Sequence, residues 1–102
     1  MNNVAFTIVY NDMVILKLWL TYYSKHFDTL VVLGLGTKKQ YDNYLDKLSK
    51  EIPFSFIRIV GENSEAQNVI EVIKKRQRDL LKKYTWVLYS NCDEFVVVEP
   101  RL

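Results

Sequence analysis

Thr85 to Glu94, T-W-V-L-Y-S-N-C-D-E, is the stretch whose reading decides the fold. Its first six residues are uncharged and rich in β-formers, and the remainder is polar, acidic and without a helix signature. That pattern describes a buried parallel strand with an acidic tip. In open α/β sheets ligands bind in the crevice beyond the carboxyl ends of the strands, so a strand that delivers Asp93 and Glu94 there suits a cation or a polar ligand. Hard oxygen donors favour Mg²⁺ or Mn²⁺, with a substrate phosphate commonly sharing the ion. The same letters also describe a strand ending in ordinary surface acids, so the tip gains meaning from what the fold places beside it.

Upstream of this strand, Asn63 or Ser64 can cap a long helix reaching Tyr84, with Ser64 spaced for a capping box to Gln67. Val69, Ile70, Ile73, Leu80, Leu81 and Tyr84 are expected on its apolar side. Gln77 falls on that side too, one turn from Ile73 and one from Leu81. An amide there sits at the rim of the packed face or is buried with partners, because burial without hydrogen bonds costs about 1–3 kcal/mol. The other face carries Lys74, Lys75, Arg76, Arg78, Lys82 and Lys83. Such a face can draw in an anionic ligand or membrane surface, but charge runs of this kind are solvated as a rule, and the aromatic interleaving of a nucleic-acid stacking surface is absent.

Further back, Phe54 to Val60 after Pro53 alternates enough to be a third strand, near the sheet edge, closed by Gly61. Thr37 can cap a helix over about residues 38 to 50, whose Tyr41, Tyr44, Leu45 and Leu48 make a narrow apolar stripe among charges. Leu30 to Leu33 is a second strand, closed by Gly34-Leu35-Gly36-Thr37, a turn that meets neither phosphate-loop glycine spacing. Val4 to Tyr10 reads as the first strand. Asn11 and Asp12 offer N-cap side chains for a first helix that carries Val14, Leu16, Leu18, Trp19, Leu20, Tyr22 and Tyr23 and ends near His26.

The order β-α-β-α-β-α-β with right-handed crossovers predicts an α/β fold, a three-layer α/β/α sandwich with a mainly parallel, Rossmann-like sheet. At 102 residues it is expected to be a single domain. Hydrophobic residues make up 49% and charged residues 25%, the balance of a globular chain. The net charge of +2 is too small to imply nucleic acid or membrane by itself. Cys92 is the one cysteine, which excludes an internal disulfide or a cysteine-based zinc site. No signal-peptide pattern or transmembrane-length apolar run is present, and the expectation is a cytoplasmic protein. Switch-point logic places the first and fourth strands side by side, so Tyr10, Asn11, Asp93 and Glu94 should share a crevice. His26 is expected far from it, as a surface or packing residue. Cys92 reads as a small buried side chain rather than a nucleophile.

Y-N-D followed by L-x-x-W-L-x-Y-Y at Tyr10 to Tyr23, and Q-x-x-L-L-x-x-Y-x-W-V-L-Y-S-N-C-D-E-F at Gln77 to Phe95, resemble the start of a family 2-like glycosyltransferase with the GT-A fold. The resemblance covers nearly the whole chain and implies its N-terminal, nucleotide-sugar-binding half, ending just after the Asp-x-Asp-type motif. By that resemblance Asp93 is the metal-binding aspartate, with Asn91 in place of the motif's first aspartate. Tyr10 and Asn11 match residues that touch the nucleoside, and Asp12 stands where the family often has Glu. Gln77 occupies a polar position often seen upstream of the metal motif. Gly34 stands where the family commonly has a base-recognising aspartate.

The implied partners are a nucleoside-diphosphate sugar, Mg²⁺ or Mn²⁺, and an acceptor hydroxyl on a glycan or lipid-linked glycan. The implied chemistry is sugar transfer with the metal offsetting charge on the leaving diphosphate. The family's acceptor site and catalytic base lie beyond the motif, where this chain has only Phe95 to Leu102, so no residue is assigned as catalytic and turnover by this chain alone is not implied. The alternative is a non-catalytic transferase-like module that binds nucleotide or presents a partner surface, including pairing of two copies through an open sheet edge.

Overall fold

The computed structural model describes residues 2–35, 38–59 and 66–93. Within them run β1 (Asn3–Val9), α1 (Met13–Tyr23), β2 (Thr29–Leu35), a single 3₁₀ turn (Lys39–Tyr41) leading into α2 (Asp42–Glu51), β3 (Ser55–Ile59), α3 (Ala66–Leu81) and β4 (Trp86–Tyr89). The four strands form one parallel sheet in the order β3-β2-β1-β4. Helices cover both faces, giving the three-layer α/β/α, Rossmann-like arrangement that the alternating sequence predicts.

The direction of the crossovers explains the layers. β1 to β2 to β3 steps one way across the sheet, and right-handed connections put α1 and α2 on one face. The chain then returns past both strands to reach β4, and α3 covers the other face. Ala5 and Val9 of β1 pack with Leu16, Trp19, Leu20 and Tyr23 of α1 and with Leu45 and Leu48 of α2. Val4, Phe6 and Ile8, pointing the opposite way by the two-residue period of a strand, pack with Leu80, Val69, Val72 and Ile73 of α3. β1 and β2 are therefore buried on both faces from Val4 and Leu30 onward.

Several boundaries and faces differ from the sequence reading. Gly34 and Leu35 continue β2 instead of ending it, because Gly34 is held between Val9 of β1 and Arg58 of β3. α1 stops at Tyr23, and Ser24 to His26 form a closing turn. On α1 the buried stripe is Met13, Leu16, Trp19, Leu20 and Tyr23, while Val14 and Leu18 point to solvent. α3 ends at Leu81. Ile70 and Leu81 are exposed, and half-buried Val72 takes a place on the packed face. The changes of face on α1 and α3 are a consequence of the 3.6-residue period, which admits only one arc of a helix to the sheet.

β4 is the larger correction. It lies at the sheet edge among the described residues, and its side chains are half-buried or exposed, with Trp86 61% exposed. Its composition is that of a buried strand, but its place in the order is outermost. β3, expected near an edge, is at the other one. The suggested caps Thr37, Asn63 and Ser64, and Gly61, lie outside the described residues.

Candidate functional site

The ends of β1 and β4 make the site. The two strands pair in parallel from Asn3 with Trp86 to Phe6 with Tyr89, so their carboxyl ends emerge together. The N–H of Ser90 donates to the Phe6 carbonyl at 3.2 Å, extending the ladder one step toward the tip. Above this step opens a cavity of about 520 Å³. Tyr10, Asn11 and Asp12 line it from the first tip, and Asn91, Cys92 and Asp93 from the fourth. Ile8, Val9 and Tyr89 form its apolar floor, with Ile15 of α1 and Val69 of α3 as walls. The crevice expected for Tyr10, Asn11 and Asp93 is thus present; Glu94 lies outside the described residues.

Specific bonds hold Asp12 and Asn11 on the first tip and Ser90 and Asn91 on the fourth. Asp12 caps α1: one of its carboxylate oxygens accepts the Ile15 N–H at 3.1 Å, satisfying one of the unpaired donors of the first turn. The side-chain oxygen of Asn11 accepts the Lys38 N–H at 3.0 Å, tying the first tip to the segment that enters the 3₁₀ turn. Its Nδ2 amide remains as the group suited to a ligand acceptor. On the fourth tip, the Tyr89 hydroxyl donates to Asn91 Oδ1 at 2.8 Å. Beneath it, the buried hydroxyl of Tyr23 donates to Ser90 Oγ at 2.9 Å, and Ser90 Oγ donates onward to the Asn91 carbonyl at 3.3 Å. Tyr23 belongs to the α1 core stripe, so the fourth tip is fastened to the helix that comes after the first.

The cavity is electronegative. Cys92 registers this: burial, then the carboxylates of Asp12 and Asp93, push its thiol up from 9.0 to about 12. Both carboxylates therefore act on one point between the tips, and the sulfur stays protonated at physiological pH, as expected of a packing cysteine and not of a nucleophile. Among the described lining residues there is no Lys, Arg or His. Among the described residues no group of three or more His, Cys, Asp or Glu is gathered for a metal.

Other candidates lie elsewhere. Gln77 is half-buried on α3 and is not in the cavity lining; eight residues beyond Val69, it stands about 12 Å further along the helix. His26 is exposed, its ring against Tyr22 at 5.3 Å between centroids, past the end of α1 remote from the tips. Gly34 offers only backbone within the β2 ladder. The sequence reading does not single out Tyr23 and Ser90 as a buried pair. A hydroxyl at the end of a strand opposite an amphipathic stripe is the only signal for it, and that signal emerges once β4 is placed beside β1.

No helix among the described residues is long and apolar enough to cross a membrane. Comparison with protein-family models, curated proteins and solved structures finds no match to the chain. The fold and the tip cavity define a small Rossmann-like α/β domain, an arrangement consistent with nucleotide binding.

Proposed function

We propose that the tip cavity binds a nucleoside-diphosphate sugar together with a divalent cation, and that the chain is the donor-binding part of a glycosyltransferase of the GT-A type. The observation that carries this reading is the meeting of Tyr10, Asn11, Asn91 and Asp93 around one cavity at the carboxyl ends of adjacent parallel strands. Its electrostatics support the cation. Two carboxylates with no basic side chain in the described lining repel a diphosphate, so an anionic ligand needs a positive ion between them. Mg²⁺ and Mn²⁺ accept one or two carboxylates and complete their shell with phosphate oxygens and water, so a full protein cage is not required.

In this reading Asp93, exposed at the cavity, holds the ion, and Asp12, with one oxygen committed to its cap, adds negative potential. Asn91 in place of a second aspartate removes one charge and presents a carboxamide steadied by Tyr89. Tyr10, exposed at the mouth, offers a ring face for the base, and the Asn11 amide a donor for the nucleoside. The bound ion would offset charge on the departing diphosphate as the sugar moves to an acceptor hydroxyl. No described residue is assigned as the base for that hydroxyl, and a chain that binds donor without turning it over is the second reading, supported by Asn91 standing in place of the motif's first aspartate.

A thermal-shift titration against uridine, guanosine, cytidine and thymidine diphosphates, each with and without Mn²⁺, tests the proposal. A ligand at a hundred times its Kd stabilises by about 2.7 kcal/mol. A metal-dependent shift with one nucleotide, lost in Asp93→Ala and kept in His26→Ala, is expected. No shift at millimolar ligand, or equal loss in both variants, would overturn it.

A further inference from the structure

α3 and the turn after it carry the densest positive charge in the chain. Residues 66–84 hold Lys74, Lys75, Arg76, Arg78, Lys82 and Lys83 against Glu71 and Asp79, although the whole chain is only +2, so the remainder is net negative. Lys74, Lys75, Arg78, Lys82 and Lys83 are exposed, and none is ion-paired among the described residues. Elsewhere the basic residues are dispersed: Lys50 of α2 lies 3.5 Å from Asp46 and Arg58 of β3 lies 2.7 Å from Asp42, while Lys17, Lys25, Lys38, Lys39 and Lys47, without an ion pair among the described residues, are spread over several elements.

Two large apolar side chains share the exposed face with these cations. Ile70 is 56% and Leu81 53% exposed. At 3.6 residues per turn, Ile70, Leu81, Lys74 and Arg78 fall within about 80° of one another, and Lys82 and Lys75 continue the same arc. The face therefore combines a charged and an apolar component on one arc.

We propose that this outer face of α3 seats on an anionic phospholipid surface, the cations against headgroup phosphates and carboxylates, Ile70 and Leu81 entering the headgroup boundary. Charge complementarity supplies the attraction, falling off within a Debye length, and the apolar pair supplies the part that salt does not screen. The same cations attract a nucleic-acid backbone, but single-strand binding requires aromatic platforms on the basic face. Tyr84, next to it, is half-buried against the core, and the exposed Trp86 shares its strand face with Leu88, on the α1 side of the sheet. The inference does not depend on glycosyl transfer.

The test is co-sedimentation of the full chain with phosphatidylcholine vesicles and with vesicles mixed with phosphatidylserine, at low and high salt. Binding to the mixed vesicles alone is expected. Lys74→Gln and Arg78→Gln should each weaken it about five-fold, the effect of one Lys or Arg near an anionic surface. Ile70→Ser with Leu81→Ser should weaken it further and leave the thermal midpoint unchanged, because both side chains are exposed. Binding to neither vesicle, or equally to both, would overturn the proposal. So would unchanged vesicle binding by the Ile70→Ser, Leu81→Ser variant with full competition by polyuridylate, which would mark a phosphate-polymer surface instead.

Discussion

β1 and β4 lie side by side, share a parallel register and have similar apolar sequences, yet they live in different environments. Val4 pairs with Val87 and Phe6 with Tyr89. Val4 and Phe6 are fully buried, whereas Val87 and Tyr89 are half-buried against the same cluster. Nothing in V-A-F-T-I-V against W-V-L-Y sets this difference. It comes from sheet order: β1 has β2 on its other side, and β4 is outermost among the described strands. Burial of a strand is thus a property of its neighbours as much as of its composition.

The sharpest test uses the paired valines, since the deleted atoms are identical. Val4→Ala is expected to cost about 2–3 kcal/mol, the transfer term for two methyl groups plus a cavity that cannot close. Val87→Ala, next to it, should cost about 1 kcal/mol because solvent already reaches part of the side chain. Urea denaturation of both variants would measure the gap. Equal losses would mean that β4 is as enclosed as β1.

A second test concerns how the edge strand is fastened to the centre. Tyr23→Phe removes the buried donor to Ser90 Oγ while keeping the ring in its core stripe. A loss of about 1–2 kcal/mol is expected for a buried hydrogen bond whose partner stays behind. Hydrogen exchange should rise most at the β4 amides. A loss spread evenly over the sheet would show that this bond does not tie the tip in particular.

Cys92 reports the same attachment through pH. Its thiol is raised from 9.0 to about 12 by burial and by Asp12 and Asp93. Below about 9 both folded and unfolded chains hold the proton, and the group gives no pH dependence. Between about 9 and about 12 the unfolded chain releases a proton that the folded chain keeps, so stability falls as pH rises through that window. Cys92→Ala should flatten that part of the profile. At pH 8 the native thiol should alkylate slower than a free thiol by roughly three orders of magnitude, following its thiolate fraction. Alkylation at the rate of a free thiol would mean that Cys92 is not buried between the tips beside Asp12 and Asp93.

The layered fold is legible in the sequence because alternating strands and helices leave few topologies once crossovers are right-handed. The same logic brings Tyr10, Asn11 and Asp93 together, and the cavity is its result. Ile70, Leu81, Val14 and Leu18 escape it for the opposite reason: an apolar letter near a helical stripe does not tell which arc meets the sheet until packing chooses one. Gly34 suggests a turn because glycine commonly ends strands, whereas here two neighbouring strands hold it in the ladder. The Tyr23–Ser90 bond joins residues 67 apart and has no local pattern at all.

The smallest expected effect is at Trp86, and it discriminates best between an open and a covered edge. The chain has two tryptophans, Trp19 fully buried on the packed face of α1 and Trp86 61% exposed at the start of β4. The Trp86 backbone is anchored independently, its N–H donating to the Asn2 carbonyl at 3.3 Å, so the side chain can be removed without releasing the strand. Trp86→Ala should change stability by less than about 0.5 kcal/mol, as a surface substitution does. It should also abolish the iodide-quenchable part of the fluorescence, leaving the protected emission of Trp19. A much larger cost, together with a wild-type midpoint that rises with protein concentration, would mean that a second copy covers this indole in solution, because only association makes stability depend on concentration. The contrast between β1 and β4 would then be a property of the isolated chain, and the two strands would be equally enclosed in the assembly.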